Sequence, residues 1–126
     1  MIDYAFAQIL INDAGVSSLV GDEIHPSINP ERSGDYIVYQ KIIHERPAAI
    51  SNEPSKQHAV FQVDIYSKRL SDVLDISEAV ISAVHYQSNT AYGHNIQLMR
   101  VDAERSEFES SVDLFRSSLD ISLFFD

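Results

Sequence analysis

The sequence predicts an α+β domain: a mostly antiparallel sheet of about four strands with helices packed on one face, in the order α-α-β-β-α-β-β. Three observations carry that expectation. Apolar residues recur at three- and four-residue spacing near the start and again beyond residue 70; period-two alternation marks residues 58–67 and 114–125; and polar turn-forming stretches separate successive strand-like runs. Strands joined as hairpins pair antiparallel, which leaves one face of the sheet to be covered by the helices.

Ile2, Phe6, Ile9 and Leu10 share one face of a helix running to about Asn12, and Gly15 interrupts the pattern. From Val16 a short second helix carries Leu19 and Val20. It leaves through Gly21-Asp22, since glycine accepts the left-handed conformation that ends helices. Ile24-His25-Pro26 follows, and the turn formers of residues 27–35 predict a surface loop. Residues 36–43 are rich in β-branched and aromatic side chains and predict a strand partly covered on each side.

Residues 44–57 read as a long polar connection in which Pro47 and Pro54 are unsuited to mid-sheet positions, although its ends can continue as strand. In residues 58–67, Phe61, Val63 and Ile65 alternate with Gln62, Asp64 and Tyr66, the pattern of a strand with one buried face. Leu70, Val73, Leu74, Ile76, Val80, Ile81 and Val84 then take helical spacing. Ser71 is read as the cap, and the helix ends near His85. After a loop over residues 86–94, residues 95–103 alternate imperfectly as a strand, and residues 104–113 read as a solvated, acidic turn. The last strand, residues 114–125, sets Leu119, Ile121, Leu123 and Phe125 against Ser118, Asp120, Ser122 and Phe124. A one-residue slip would send the apolar set into water, so the register is fixed.

The chain has 126 residues, no cysteine and a formal net charge of −10. At about 100–200 residues per domain, a single domain over residues 1–126 is expected. Disulfides, thiolate metal sites and cysteine nucleophiles are excluded. The acidic excess, with no compensating cluster of Lys and Arg, speaks against a protein that grips phosphates over a basic face. No apolar run approaches the roughly 20 residues that span a bilayer. Met1-Ile2-Asp3-Tyr4 lacks the basic start and apolar stretch of a signal peptide, so assembly in the cytoplasm without a membrane partner is expected.

Motifs for chemistry are missing. His25, His44, His58, His85 and His94 are scattered, with no pair at the spacing that sets two imidazoles on one helical turn, and no metal or other cofactor is expected. Asp22-Glu23, Asp72 with Asp75, and the acids of residues 102–113 read as solvated charges at turns and helix starts; catalytic carboxylates need a cleft that perturbs them. The serine pairs Ser110-Ser111 and Ser117-Ser118 lack a nucleophile elbow, and Gly15, Gly21, Gly34 and Gly93 stand too far apart for a phosphate loop. An enzyme is not expected. Asp64 and Asp120, each inside a strand, are assigned to the polar face of the sheet. Tyr36, Tyr39, Tyr66, Tyr86, Tyr92, Phe108, Phe115 and Phe124 fall at strand edges, in loops or opposite the main apolar set, where aromatic area serves either an interface or the second face of the sheet.

Leu19-Val20-Gly21-Asp22-Glu23-Ile24-His25-Pro26, then Tyr36-Ile37-Val38-Tyr39-Gln40, then Phe61-Gln62-Val63-Asp64-Ile65-Tyr66-Ser67 lead into a helix ending Ala79-Val80-Ile81-Ser82-Ala83-Val84. With Phe115-Arg116-Ser117-Ser118-Leu119-Asp120-Ile121-Ser122 at the last strand, their order and spacing resemble the tail-completion proteins of long-tailed bacteriophages. These are also called tail-to-head joining proteins and are related in fold to tail terminators. The resemblance covers nearly the whole chain.

It implies a structural virion protein at the tail-head junction of a phage or prophage, acting as a hexameric ring that caps the tail tube and ends its growth. The implied partners are other copies of the chain, the major tail tube protein and a head-closure or connector protein. DNA would pass through the ring without specific binding, which an acidic lumen favours. The alternatives are a head-closure, neck or minor tail protein of the same region, or a small ligand-binding module or enzyme. Loops on a rigid sheet are the usual docking elements. The candidate interaction residues are therefore Glu45, Arg46, Glu53 and Lys56 in the first long connection and Glu104, Glu107 and Glu109 in the acidic turn.

Overall fold

A computed structural model describes residues 1–26, 34–47, 56–90, 92–111 and 113–126. Two helices come first, α1 (Ile2–Ile11) and α2 (Ala14–Val20), then strands β1 (Ile24–Pro26), β2 (Tyr36–Glu45) and β3 (Gln57–Ser67). Helix α3 (Leu70–Val84) follows, then β4 (Gln87–Asn89), β5 (Ile96–Glu109) and β6 (Leu114–Phe125). The expected four-strand sheet with helices on one face is not what forms. Six strands in the order β1-β2-β3-β6-β5-β4 make a mixed sheet that curls into a half-barrel with the three helices.

The differences have local causes. Strands β1 and β4 span three residues each, too few to show a period, yet both pair: β1 runs parallel to β2 through Ile24↔Ile37 and Pro26↔Tyr39, and β4 pairs antiparallel with β5. Pro26 is tolerated because β1 is the edge. The expected acidic turn is mostly strand, since β5 runs on through Glu104, Glu107 and Glu109 and pairs with β6 to Glu109↔Leu114. β2 likewise takes His44 and Glu45 into the ladder. Register shifts at Lys41/Ile43, Ile96/Leu98 and Val101/Ala103 mark bulges, which raise local twist and bend a sheet.

One core fills the inner side of the sheet. Phe61, Val63 and Ile65 of β3 and Leu119, Ile121, Leu123 and Phe125 of β6 are buried against Phe6 and Leu10 of α1, Val16 of α2 and Ile76, Val80 and Val84 of α3. Phe6 and Phe61 stack with centroids 4.3 Å apart at its centre. The period-two reading of β3 and β6 and the face assigned to α1 hold in the structure. On α3 the assigned stripe is wider than the buried one, because Leu70 and Leu74 are exposed. Ser71 lies inside that helix, whose N-cap is Arg69, without a side-chain cap bond. At α2, by contrast, Asp13 caps through Oδ2, which accepts from the Val16 amide at 3.0 Å. No helix among the described residues is long and apolar enough to cross a membrane.

Candidate assembly surface

The curled sheet and the three helices enclose the core on its inner side, and alternate residues of β2, β3, β6 and β5 point the other way. Cross-strand registers define rows on that outer face: Tyr36, Tyr66, Arg116 and Glu107; Val38, Asp64, Ser118 and Arg105; Gln40, Gln62, Asp120 and Ala103; Glu45, His58, Phe124 and Leu98. Polar side chains two residues apart on a strand share a face, so they pair sideways rather than with water alone.

The pairing is extensive. Asp64 accepts from Ser118 Oγ and from Gln62 Nε2 at 3.2 Å, while Asp120 accepts from Arg105 Nη1 at 3.2 Å. Arg116 joins Glu107 and, at 3.3 Å, Glu109, with its Nε left without a partner. Ser122 donates to Asp102, which also accepts from Arg100 Nε at 2.6 Å. The Arg100 guanidinium sits 5.4 Å from the Phe124 ring centroid, and His58 stacks on the Phe124 ring at 4.6 Å while bonding Glu45 at 2.8 Å. A second, small apolar cluster of Tyr36, Val38 and Leu114, flanked by Tyr66, anchors one corner; the two tyrosine rings stack at 4.9 Å.

Two shifts follow from this lattice. Burial pushes the Asp102 carboxyl up, but the hydrogen bonds from Ser122 and Arg100, the Arg100 charge and His58 together hold it below the ordinary carboxylate value. The hydrogen bond and charge of Asp120 raise Arg105 above its ordinary value. Exposed ion pairs contribute only about 0–1 kcal/mol each, so the lattice is weak as a stabiliser and matters more as a fixed pattern of charge.

The candidate residues divide. Glu45 ends β2 and pairs with His58; Arg46 follows it, exposed; and Lys56 donates to Gln97 Oε1 at 3.2 Å. Arg46 lines a depression of about 250 Å³ together with Lys41, His44 and His94. Glu53 lies outside the described residues. Glu107 and Glu109 share the outer face and both reach Arg116, whereas Glu104 stands on the helix side of β5 with Ser106 and Phe108 and has no partner among the described residues. The described members of the two groups stand apart: Glu45 and Arg46 lie at the end of β2, Lys56 just before β3, and Glu104, Glu107 and Glu109 on the distal half of β5.

Sequence reasoning missed Ile42 and Ile43, each 46 % exposed where the β2 bulge disturbs the alternation. The two consecutive isoleucines in a polar stretch were the available signal. The histidines take separate partners, Glu23 for His25, Lys41 and Gln57 for His44, and the Val101 amide for His85. Among the described residues no group of three His, Cys, Asp or Glu is placed to hold a metal ion.

A model of the family described as "Tail completion protein gp17" matches residues 5–126. The chain belongs to the tail completion protein gp17 family. It is therefore a structural protein of the bacteriophage tail and part of the virion. No match in sequence was found among curated proteins. In fold, this family member is similar to a chain of the structure "Virion of native gene transfer agent (GTA) particle", with a TM-score of 0.72 and 15 % identity. The match covers 94 % of this chain and 89 % of that one.

Proposed function

We propose that this tail completion protein caps the tail tube as a ring, ends tube growth and joins the tail to the head. The family match over residues 5–126 carries the reading. A rigid six-strand sheet supports it, since an adaptor must hold two docking surfaces at fixed separation, and so does a chain without catalytic motifs. Its partners would be other copies of itself, forming a hexameric ring, the major tail tube protein and a head-closure or connector protein.

The charge of −10 suits passage of DNA, because an acidic lumen repels phosphates and leaves nothing for the strand to grip. On the outer sheet face most charges are neutralised by neighbours, whereas Asp72, Asp75 and Glu78 of α3 face no cation among the described residues. A cryo-electron-microscopy map of the junction with a neutral or basic lumen lining would refute the repelling channel.

The connection between β2 and β3 is the leading docking loop, with Glu45, Arg46, Glu53 and Lys56, and the acidic end of β5 is the second. Deleting residues 48–54 should leave a folded protein that no longer joins tails to heads, and retained infectivity refutes that role. Electron microscopy of particles lacking the protein tests the whole reading. Tails of abnormal length, free of filled heads, are expected; normal virions overturn it.

A further inference from the structure

The sheet has two open edges, and they differ in character. β1 covers β2 only from Ile37 to Tyr39, so the segment from Gln40 to Glu45 has no strand on its outer side among the described residues. β4 reaches β5 only at Ile96 and Met99, and His85 satisfies the Val101 amide, so the segment from Asp102 to Glu109 is likewise open. A row of unpaired N–H and C=O groups is a template for another strand.

We infer that these two edges are partners: the distal half of β5 in one copy adds to the Gln40–Glu45 edge of β2 in the next, joining copies head to tail through one continuous sheet. The inference rests on the ring reading above and names the surface that would build it. Three observations point to a second copy as the occupant. The edges differ in charge: at the β2 edge Lys41 is paired with Asp3 and Glu45 with His58, which leaves Arg46 without an ion pair among the described residues, whereas the β5 edge carries Glu104, Glu107, Glu109 and Asp113 against Arg105 and Arg116.

Each edge also holds unburied apolar area, Ile43 on the outer face of one and Phe108, 52 % exposed, on the helix side of the other, where each would cover the neighbouring strand rather than meet the other. Thirdly, strand addition preserves the faces of a pleated sheet. Glu104 and Phe108, on the helix side of β5, would lie on the same side as Lys41, which reaches Asp3 of α1, and beside the depression that Lys41, His44, Arg46 and His94 line. A contact between two different patches is heterologous, and repeated copies of it give a closed ring when the rotation closes.

The chain has no cysteine, so introduced thiols report without background. Particles assembled from protein carrying both Ile43→Cys and Glu107→Cys, which share the outer face, are treated with a short bismaleimide, and particles carrying either change alone serve as controls. A ladder of covalent multimers from the double variant, with no dimer from either single variant, is expected. Dimers from one single variant, or cross-links to a protein of another mass, overturn the edge pairing.

A charge exchange supplies the second readout. Arg46→Glu and Glu104→Arg should each lower the yield of joined particles by about tenfold or more, and together restore most of it, since each single change juxtaposes like charges across the contact. Two damaging single changes without mutual rescue overturn the pairing. A ring visible at the tail end that yields no ladder refutes this interface alone, whereas tails that end without any ring refute the reading on which it rests.

Discussion

Phe61 is fully buried and stacks on Phe6 at 4.3 Å, so its loss opens a hole between α1 and the sheet. Phe61→Ala should lower unfolding free energy by about 3–5 kcal/mol in chemical denaturation, and a loss under 1 kcal/mol would show that α1 collapses into the space. Asp102 gives a subtler test. Its folded value lies below the ordinary 3.8, so its contribution is present above that value and lost as pH falls through the folded one. Thermal midpoints of the native protein should therefore fall more steeply below about pH 4 than those of Asp102→Asn, and equal slopes would refute the assignment. At this scale the sequence is readable for side and not for partner. Asp64 and Asp120 are legible as polar-face residues from strand alternation, but their bonds to Ser118 and Arg105 depend on which strands are neighbours.

Short elements are where reading by period fails. α2 is held by a single side-chain cap, and Asp13→Ala should cost about 1 kcal/mol while leaving the rest of the fold intact, as judged by denaturation and far-ultraviolet circular dichroism. A cost near zero would show that packing of Val16 and Val20 suffices. β1 and β4 offer three residues each, so only the partner strand reveals them. β5 is hidden for another reason: Glu104, Glu107 and Glu109 look like a solvated turn because charge normally marks exposure, yet a strand with an open edge and an uncovered face is itself exposed. The same fact explains why these acids read as a turn when they are strand.

Across the whole molecule the strand order separates what is held from both sides from what is not. β3 and β6 are interior, and β1 and β4 are the edges. Native-state hydrogen exchange should find the slowest amides in β3 and β6 and the fastest strand amides in β1 and β4; comparable protection throughout would mean that the sheet opens only as a unit. The core is legible in advance because α1, β3, α3 and β6 each carry a clear period, and Phe6, Phe61, Val80 and Leu119 are buried as that period requires. The curl and the strand count are not legible, since bulges and long-range neighbours leave no local mark.

β6 is the last strand in sequence and yet lies between β3 and β5. On a ribosome, β3 therefore emerges with one flank bare and stays so until residues about fifty positions later have been made. During that interval β1-β2-β3 stands with its β3 flank unsatisfied, and β4-β5 is complete only just before β6, the condition in which nascent chains find each other instead of themselves. Folding is gated by the arrival of its final segment, and a host protecting this protein during synthesis has to shield β3 for longer than any other strand.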